Sequence, residues 1–160
     1  MGNSRDISGL MRAIACFDSE EDALPLRLSP AEWAQLAGVM ERTELQPGEL
    51  LLRCGDLGSC AYLVESGQLQ VFVTGGTRRS HRVATLRGGT MVGEPALFTP
   101  TLRMAHVEAT APSVVWALSA QDLLSLSAVA PALVLEVLRA AGVLMTARRR
   151  ANLERGIPVS

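Results

Sequence analysis

The apolar positions at the start of the chain follow the three-to-four-residue period of an amphipathic helix. Ile7, Leu10 and Ile14 fall on one face of such a helix. The acidic run at residues 19–22 that follows has no apolar periodicity, and we interpret it as a solvent-exposed linker. The pattern predicts a helical N-terminal extension.

A second helix is predicted from the motif Ser29-Pro30-Ala31-Glu32. Serine is a favoured N-cap, proline suits the first helical position, and the glutamate can reach back to the cap. We expect this helix to run to about Glu41. Its predicted buried residues are Trp33, Leu36 and Met40.

From Thr43 to Leu118 the period changes to short apolar runs separated by glycine-containing turns. That rhythm is typical of an antiparallel barrel or jelly roll. Residues 75–79 are predicted to form a hairpin tip. The predicted strands cover residues 50–52, 61–64, 69–73, 83–86, 106–109 and 114–118.

Helical periodicity returns after Leu118. Ser119 is a plausible N-cap for a short helix through Leu126, and Pro131 begins a long helix that ends near Gly156. Apolar residues surround this long helix almost completely, which indicates a partner for its outer face. These residues are Leu133, Val134, Leu135, Val137, Leu138, Ala140, Ala141, Val143, Leu144 and Met145.

Together these patterns predict an α+β fold, an antiparallel jelly-roll barrel flanked by N-terminal helices and a long C-terminal helix. We divide the chain into an N-terminal extension at 1–24, a barrel with its leading helix at 25–118, and C-terminal helices at 119–156.

Composition places the chain among folded globular proteins. Of its 160 residues 48% are hydrophobic, and the net charge of −1 provides no broad attraction to nucleic acid. All 15 basic residues are arginine, which indicates a GC-rich bacterial genome. The three cysteines lack metal-like spacing, and no secretory signal or membrane span is visible, so we expect reduced thiols and a cytoplasmic protein.

The candidate chemistry lies in Gly93-Glu94-Pro95-Ala96-Leu97-Phe98 and in Arg103. Glycine permits close backbone approach to a ligand, and the N–H groups of Ala96 and Leu97 would face out of a helix start toward an anion. Arg103 can clamp phosphate oxygens, while Glu94 can accept a sugar hydroxyl. Alternatively, Arg103 is a surface arginine paired with an acid, and Glu94 stabilises a helix dipole.

These residues resemble the cyclic nucleotide-binding domain family, whose phosphate-binding cassette reads Phe-Gly-Glu-(Leu/Met)-Ala-Leu, then a short gap and Arg-(Ser/Thr/Ala)-Ala. The resemblance covers about Leu26 to Asn152, and this segment is similar to the effector domain of CAP/Crp-like regulators. Further matching segments are Pro47-Gly48-Glu49, Gly55-Asp56, Tyr62-Leu63-Val64, Ser66-Gly67, Val71-Phe72-Val73 and Leu86-Arg87-Gly88-Gly89.

The resemblance implies a cyclic AMP or cyclic GMP site and no other cofactor. The implied ligand-binding residues are Gly93, Glu94, Ala96, Leu97, Arg103, Met104 and Ala105, with Val83 lining the pocket and Arg148 and Arg149 reaching the base. Three departures weaken the match: Met104 replaces a small or hydroxyl residue, Leu102 replaces proline, and Pro95 replaces leucine or methionine. Family members that favour cyclic GMP tend to need the hydroxyl, so Met104 favours cyclic AMP. Alternatively, residues 148–150 form a solvated helix end.

We therefore expect a regulatory module that binds a cyclic purine nucleotide, repositions its C-terminal helix, forms a homodimer through that helix and acts on an unknown effector. The alternative is a degenerate domain for dimerisation or docking, as in the cytoplasmic tail of a transporter or channel. The chain stops at Ser160 with no room for a helix-turn-helix, so no nucleic-acid binding is expected. His81 and His106 form no cluster, so neither catalysis nor a metal site is expected.

Overall fold

The computed structural model describes residues 6–74 and 80–156, except for the side chains of residues 74 and 80–83. The predicted hairpin tip at 75–79 lies outside this part of the chain. The α-helices are α1 (Ser8–Cys16), α2 (Pro30–Ala37), α3 (Ala120–Leu126) and α4 (Pro131–Glu154), and Glu94–Leu97 form a 3₁₀ helix. The strands are β1 (Glu41–Leu45), β2 (Leu50–Leu52), β3 (Leu57–Gly58), β4 (Cys60–Ser66), β5 (Gln68–Thr74), β6 (Ser80–Arg87), β7 (Met91–Val92), β8 (Thr101–Leu102), β9 (His106–Ala109) and β10 (Ser113–Ser119).

The strands form two four-stranded antiparallel sheets. One has the order β1-β10-β4-β7 and the other β2-β9-β5-β6, and the short strands β3 and β8 pair separately. The predicted α+β jelly-roll architecture is confirmed. All six predicted strand segments lie within β2, β4, β5, β6, β9 and β10.

Two apolar clusters hold the fold together. The first lies between the sheets and includes Val64 and Val115 from one sheet and Leu69 and Val107 from the other. Because strand side chains alternate between faces, the opposite face of the first sheet packs on the helices. That second cluster includes Leu10, Leu36, Leu63, Trp116, Val137 and Leu144.

Helix α2 begins as predicted and ends earlier than predicted. The Ser29 side chain accepts from the Glu32 N–H, and the Glu32 side chain accepts from the Ser29 N–H, so the capping box is confirmed. The helix ends at Ala37 instead of near Glu41, because residues 41–45 pair with β10 as an edge strand. The predicted buried residues Trp33, Leu36 and Met40 are buried.

The C-terminal helices also agree with the sequence pattern. The Ser119 side chain caps α3 by accepting from the Asp122 N–H, and α4 begins at Pro131 and ends at Glu154. On α4 Ala140 is buried, whereas Leu135 and Val143 are 69% and 46% exposed. These two side chains leave an uncovered apolar strip on the helix, and dimerisation through it stays a prediction.

The acidic linker at residues 19–22 is not simply solvated, which corrects the interpretation from sequence. Asp22 pairs with Arg148 of α4, and Glu21 pairs with Arg155, which directly follows the helix. The linker therefore lies against the C-terminal helix. Cys16, Cys54 and Cys60 are free thiols. Within the described residues, no helix is long and apolar enough to cross a bilayer.

Candidate functional site

The candidate site begins at a left-handed turn formed by Gly93. Its φ of 76° lies in the region that favours glycine, and the 3₁₀ helix follows directly. The Ala96 N–H donates to the Gly93 carbonyl at 3.2 Å. This N–H was expected to face an anion, but in this structure it is used within the turn. Ala96 and Leu97 are both buried and fix the turn on the barrel.

Arg103 follows β8 and is held by hydrogen bonds of both its backbone and its guanidinium. Its backbone N–H donates to the Asp56 carbonyl at 2.8 Å, and its carbonyl accepts from the Gly55 N–H at 2.8 Å. Its guanidinium donates to the Cys60 carbonyl at 2.6 Å and to the Gly93 carbonyl at 3.3 Å. The side chain therefore spans from β8 to the Gly93 turn in a fixed orientation.

The guanidinium of Arg103 has no acidic partner among the residues that the structure describes. The residue is only 9% exposed, and no described carboxylate lies within salt-bridge distance. A guanidinium has five N–H donors, and two carbonyls engage only part of this set. A buried cation without a counter-ion is costly, so this position favours binding of an anion.

Two glycines make space for this guanidinium. A Cβ on Gly58 would lie 2.2 Å from Cζ of Arg103, and a Cβ on Gly93 would lie 2.7 Å from its Nη1. Both distances are shorter than any normal contact. The sequence pattern had identified Gly93 but not Gly58, whose role depends on the fold and has no local signal.

Glu94 is buried, with 6% of its surface exposed, and its carboxylate is bound from α4. Arg148 Nη1 donates to Glu94 Oε1 at 2.9 Å. The same guanidinium contacts Asp22 Oδ1, the Met91 carbonyl and Thr90 Oγ1. Arg148 therefore contacts the cassette through Glu94, whereas the sequence had suggested contact with the base or a solvated helix end. Neither Asp22 nor Thr90 was found from sequence.

The remaining predicted ligand-binding residues are Met104, Ala105, Arg149 and Val83. Met104 is exposed and lies next to Arg103 in the chain, with Ala105 partly buried beyond it. Arg149 is exposed on α4 and makes no ion pair within the described part of the chain. Val83 lies in β6, and its side chain is outside the described residues.

Tyr62, on the strand that provides the Cys60 carbonyl, has a perturbed phenol. Burial raises the pKa of Tyr62 above its usual value of 10.0, and the positive charge of Arg103 opposes this increase. The phenol is therefore neutral at physiological pH. The described residues contain no group of three or more His, Cys, Asp or Glu side chains arranged to hold a metal ion.

A buried guanidinium beside a glycine turn can be compared with the sites of known families. The family model of the cyclic nucleotide-binding domain matches residues 42–129, more than half of the chain, with Gly93 and Arg103 inside the match. The chain belongs to the cyclic nucleotide-binding domain family. The predicted resemblance is thus confirmed, and the family is one of regulatory domains that bind cyclic AMP.

Curated relatives of this cyclic nucleotide-binding domain include two kinase subunits. It is 35% identical over 91 residues to the cAMP-dependent protein kinase regulatory subunit of Blastocladiella emersonii, covering 57% of this chain and 23% of the relative. It is 33% identical over 90 residues to the Emericella nidulans subunit of the same name, covering 56% of this chain and 21% of that one. The chain spans less than a quarter of these relatives.

Solved structures share this fold over a longer part of the chain. A cyclic nucleotide-binding domain from Methylobacillus flagellatus superposes with a TM-score of 0.80 at 24% identity, covering 95% of this chain and 83% of the other. The catabolite activator protein of Thermus thermophilus gives a TM-score of 0.68 at 31% identity, covering 81% and 59%. The first similarity supports the fold alone.

Proposed function

We propose that this chain is a regulatory module that binds a cyclic purine mononucleotide, cyclic AMP in preference to cyclic GMP, and repositions α4 in response. The observation that carries the proposal is the buried guanidinium of Arg103, which has no acidic partner among the described residues. A cyclic phosphate would supply the missing negative charge through bidentate hydrogen bonds.

Glu94 provides the second half of the proposed site. Its carboxylate is an acceptor, and it follows directly after Gly93, whose carbonyl is bound by Arg103. A cyclic nucleotide carries a ribose hydroxyl next to its phosphate, so one ligand would satisfy both residues. This pairing of an anion site with a hydroxyl acceptor distinguishes a nucleotide from a simple anion.

Two observations support the finer parts of the proposal. Met104 has no hydroxyl beside Arg103, which favours cyclic AMP over cyclic GMP, and the kinase subunits to which the chain is similar are named as cAMP-dependent. Arg148 connects α4 directly to Glu94, so a ligand at Glu94 would change the environment of the helix. The response would be a shift in the population of docked α4.

We also propose that two copies pair through α4. Leu135, Val143 and Leu153 are exposed at intervals of eight and ten residues along this helix, so they lie near one side of it. A second copy would cover this apolar strip. No catalytic step is proposed for the module, which acts by binding alone on an effector of unknown identity.

A second candidate function is docking without nucleotide. It is supported by three exposed apolar side chains beside Arg103, namely Leu57, Leu102 and Met104, of which the first two are opposite each other on β3 and β8. In that case the Ala96 N–H, already bound to Gly93, would never serve a ligand.

Thermal unfolding with a panel of nucleotides separates the two functions. Ligand at about 100 times its dissociation constant stabilises a protein by about 2.7 kcal/mol. For a domain of this size that corresponds to a rise of roughly 5–11 °C in Tm. We expect this rise with cyclic AMP, a smaller rise with cyclic GMP, and none with adenosine, which lacks the phosphate. Unchanged melting with every nucleotide would favour the docking domain.

A further inference from the structure

Arg148 joins three segments of the chain at one guanidinium. Its Nε lies 3.1 Å from Asp22 Oδ1, and its Nη1 lies 2.9 Å from Glu94 Oε1. It also donates to the Met91 carbonyl and to Thr90 Oγ1, each at 2.8 Å. The helix α4, the N-terminal linker and the cassette therefore meet at this side chain.

Two more arginines contact the linker and the residues just after it, a segment that together covers residues 19–25: Arg139 of α4, and Arg155 directly after the helix. Arg139 Nη2 donates to the Pro25 carbonyl at 3.3 Å, and Arg155 pairs with Glu21. Arg139, Arg148 and Arg155 contact Pro25, Asp22 and Glu21, respectively. Residues 19–25 therefore run antiparallel to α4. The side chains of Arg139 and Arg155 are 52% and 51% exposed against 19% for Arg148. Exposed pairs contribute little, so Arg148 dominates the attachment.

The contact to Glu94 leaves the carboxylate able to serve a ligand. Within the described residues only Arg148 donates to this carboxylate, and the acceptor atom is Oε1. A carboxylate has about four acceptor sites on two oxygens, so a hydroxyl can bind Oε2 while Arg148 stays in place. Arg148 thus orients Glu94 and does not compete with the ligand.

We propose that Arg148 is a positioning residue that couples nucleotide occupancy to the N-terminal linker, by orienting Glu94 for the ribose hydroxyl while holding residues 19–25 on α4 through Asp22. This inference rests on the proposed function of the site. Because coupling between two sites is reciprocal, a ligand that binds better when Arg148 is docked also strengthens the docking of the linker. The N-terminal linker is then a segment that reports the ligand.

The test is hydrogen exchange of the whole chain, with and without saturating cyclic AMP, beside calorimetric affinities. In the wild type, ligand slows exchange in residues 19–25 and in α4. In Arg148→Gln, affinity falls by about tenfold or more, and residues 19–25 no longer respond to saturating ligand. Arg150→Gln, an exposed arginine on the same helix, serves as the control and behaves as the wild type.

A second variant separates coupling from a general loss of structure. Asp22→Asn keeps the contact between Arg148 and Glu94, so affinity should stay within about threefold of the wild type because Asp22 itself does not contact the ligand site. Its linker nevertheless loses the response to ligand. If the wild type binds cyclic AMP and Arg148→Gln keeps both the same affinity and the same linker response, this inference is overturned and the proposed function is not. Failure of the wild type to bind would overturn the proposed function and this inference with it.

Discussion

Gly58 and Arg103 are packed so closely that a Cβ added to the glycine would overlap the guanidinium where it now lies. A Cβ on Gly58 would lie 2.2 Å from Cζ of Arg103 and 2.3 Å from its Nε. The glycine on β3 thus defines the position of the guanidinium that follows β8. The binding site depends on a residue that contributes no functional group.

We expect Gly58→Ala to lose cyclic AMP affinity while the protein stays folded. The new methyl group collides with the flexible end of Arg103, which can turn away at modest energetic cost, so the anion site is lost before the fold. The control is Gly142→Ala on α4, where a Cβ meets nothing within 4 Å. That helical substitution should add about 0.5–1 kcal/mol of stability and leave affinity unchanged. Equal affinity of Gly58→Ala and the wild type in calorimetry would contradict this account of the site.

The buried indole of Trp116 depends on Glu65. Trp116 is fully buried, and its Nε1 donates to Glu65 Oε1 at 3.1 Å. Glu65→Leu leaves this N–H without a partner, which costs about 1–3 kcal/mol of unfolding free energy. Glu65→Gln keeps an acceptor and should lose less. Urea unfolding followed by tryptophan fluorescence measures both, and matching midpoints for the two variants would argue against the hydrogen bond.

Met104→Thr should move nucleotide preference toward cyclic GMP. Met104 is 57% exposed, so the substitution does not disturb the core. It restores the hydroxyl that family members favouring cyclic GMP tend to need, and a hydrogen bond contributes about 0.5–1.5 kcal/mol. The ratio of the cyclic GMP to the cyclic AMP dissociation constant should fall by about twofold to tenfold. Met104→Leu is the matched control, and an equal ratio in both variants would refute the assignment.

Tyr62 is the one tyrosine in the sequence, so its titration can be followed directly by phenolate absorbance. Burial raises its pKa above 10.0, so the folded protein should titrate at higher pH than the protein in urea. The neutral phenol favours the folded state, and this stabilisation is complete below pH 10 and lost as the pH rises through the folded pKa. Because Arg103 lowers the pKa, a phosphate bound there should raise it further. Identical midpoints in the folded and unfolded protein would contradict the burial.

Most of the architecture could be predicted from local patterns. The capping box at Ser29, the cap at Ser119 and the start of α4 at Pro131 are local signals that the structure confirms. The edge strand β1 was missed because its residues, Glu-Arg-Thr-Glu-Leu, are mostly exposed and polar. Its strand conformation comes from pairing with β10, which is distant in sequence.

The candidate site divides in the same way. Glu94 and Arg103 belong to one short motif, and both were identified from it. The contact between Asp22 and Arg148 joins residues 126 positions apart, and Gly58 acts through a steric contact with Arg103. Neither relationship has a sequence signal, because each exists only after the barrel, the linker and α4 have packed together.

In the proposed site, Arg103 holds the phosphate of a cyclic nucleotide. Calorimetric titration with cyclic AMP tests it most directly, using the wild type, Arg103→Ala, and Arg87→Ala as a matched exposed arginine. We expect binding by the wild type and by Arg87→Ala, and a loss of at least about a hundredfold in Arg103→Ala, since a desolvated charged contact contributes about 3 kcal/mol. Binding of equal strength by Arg103→Ala, or no binding by the wild type, would contradict it.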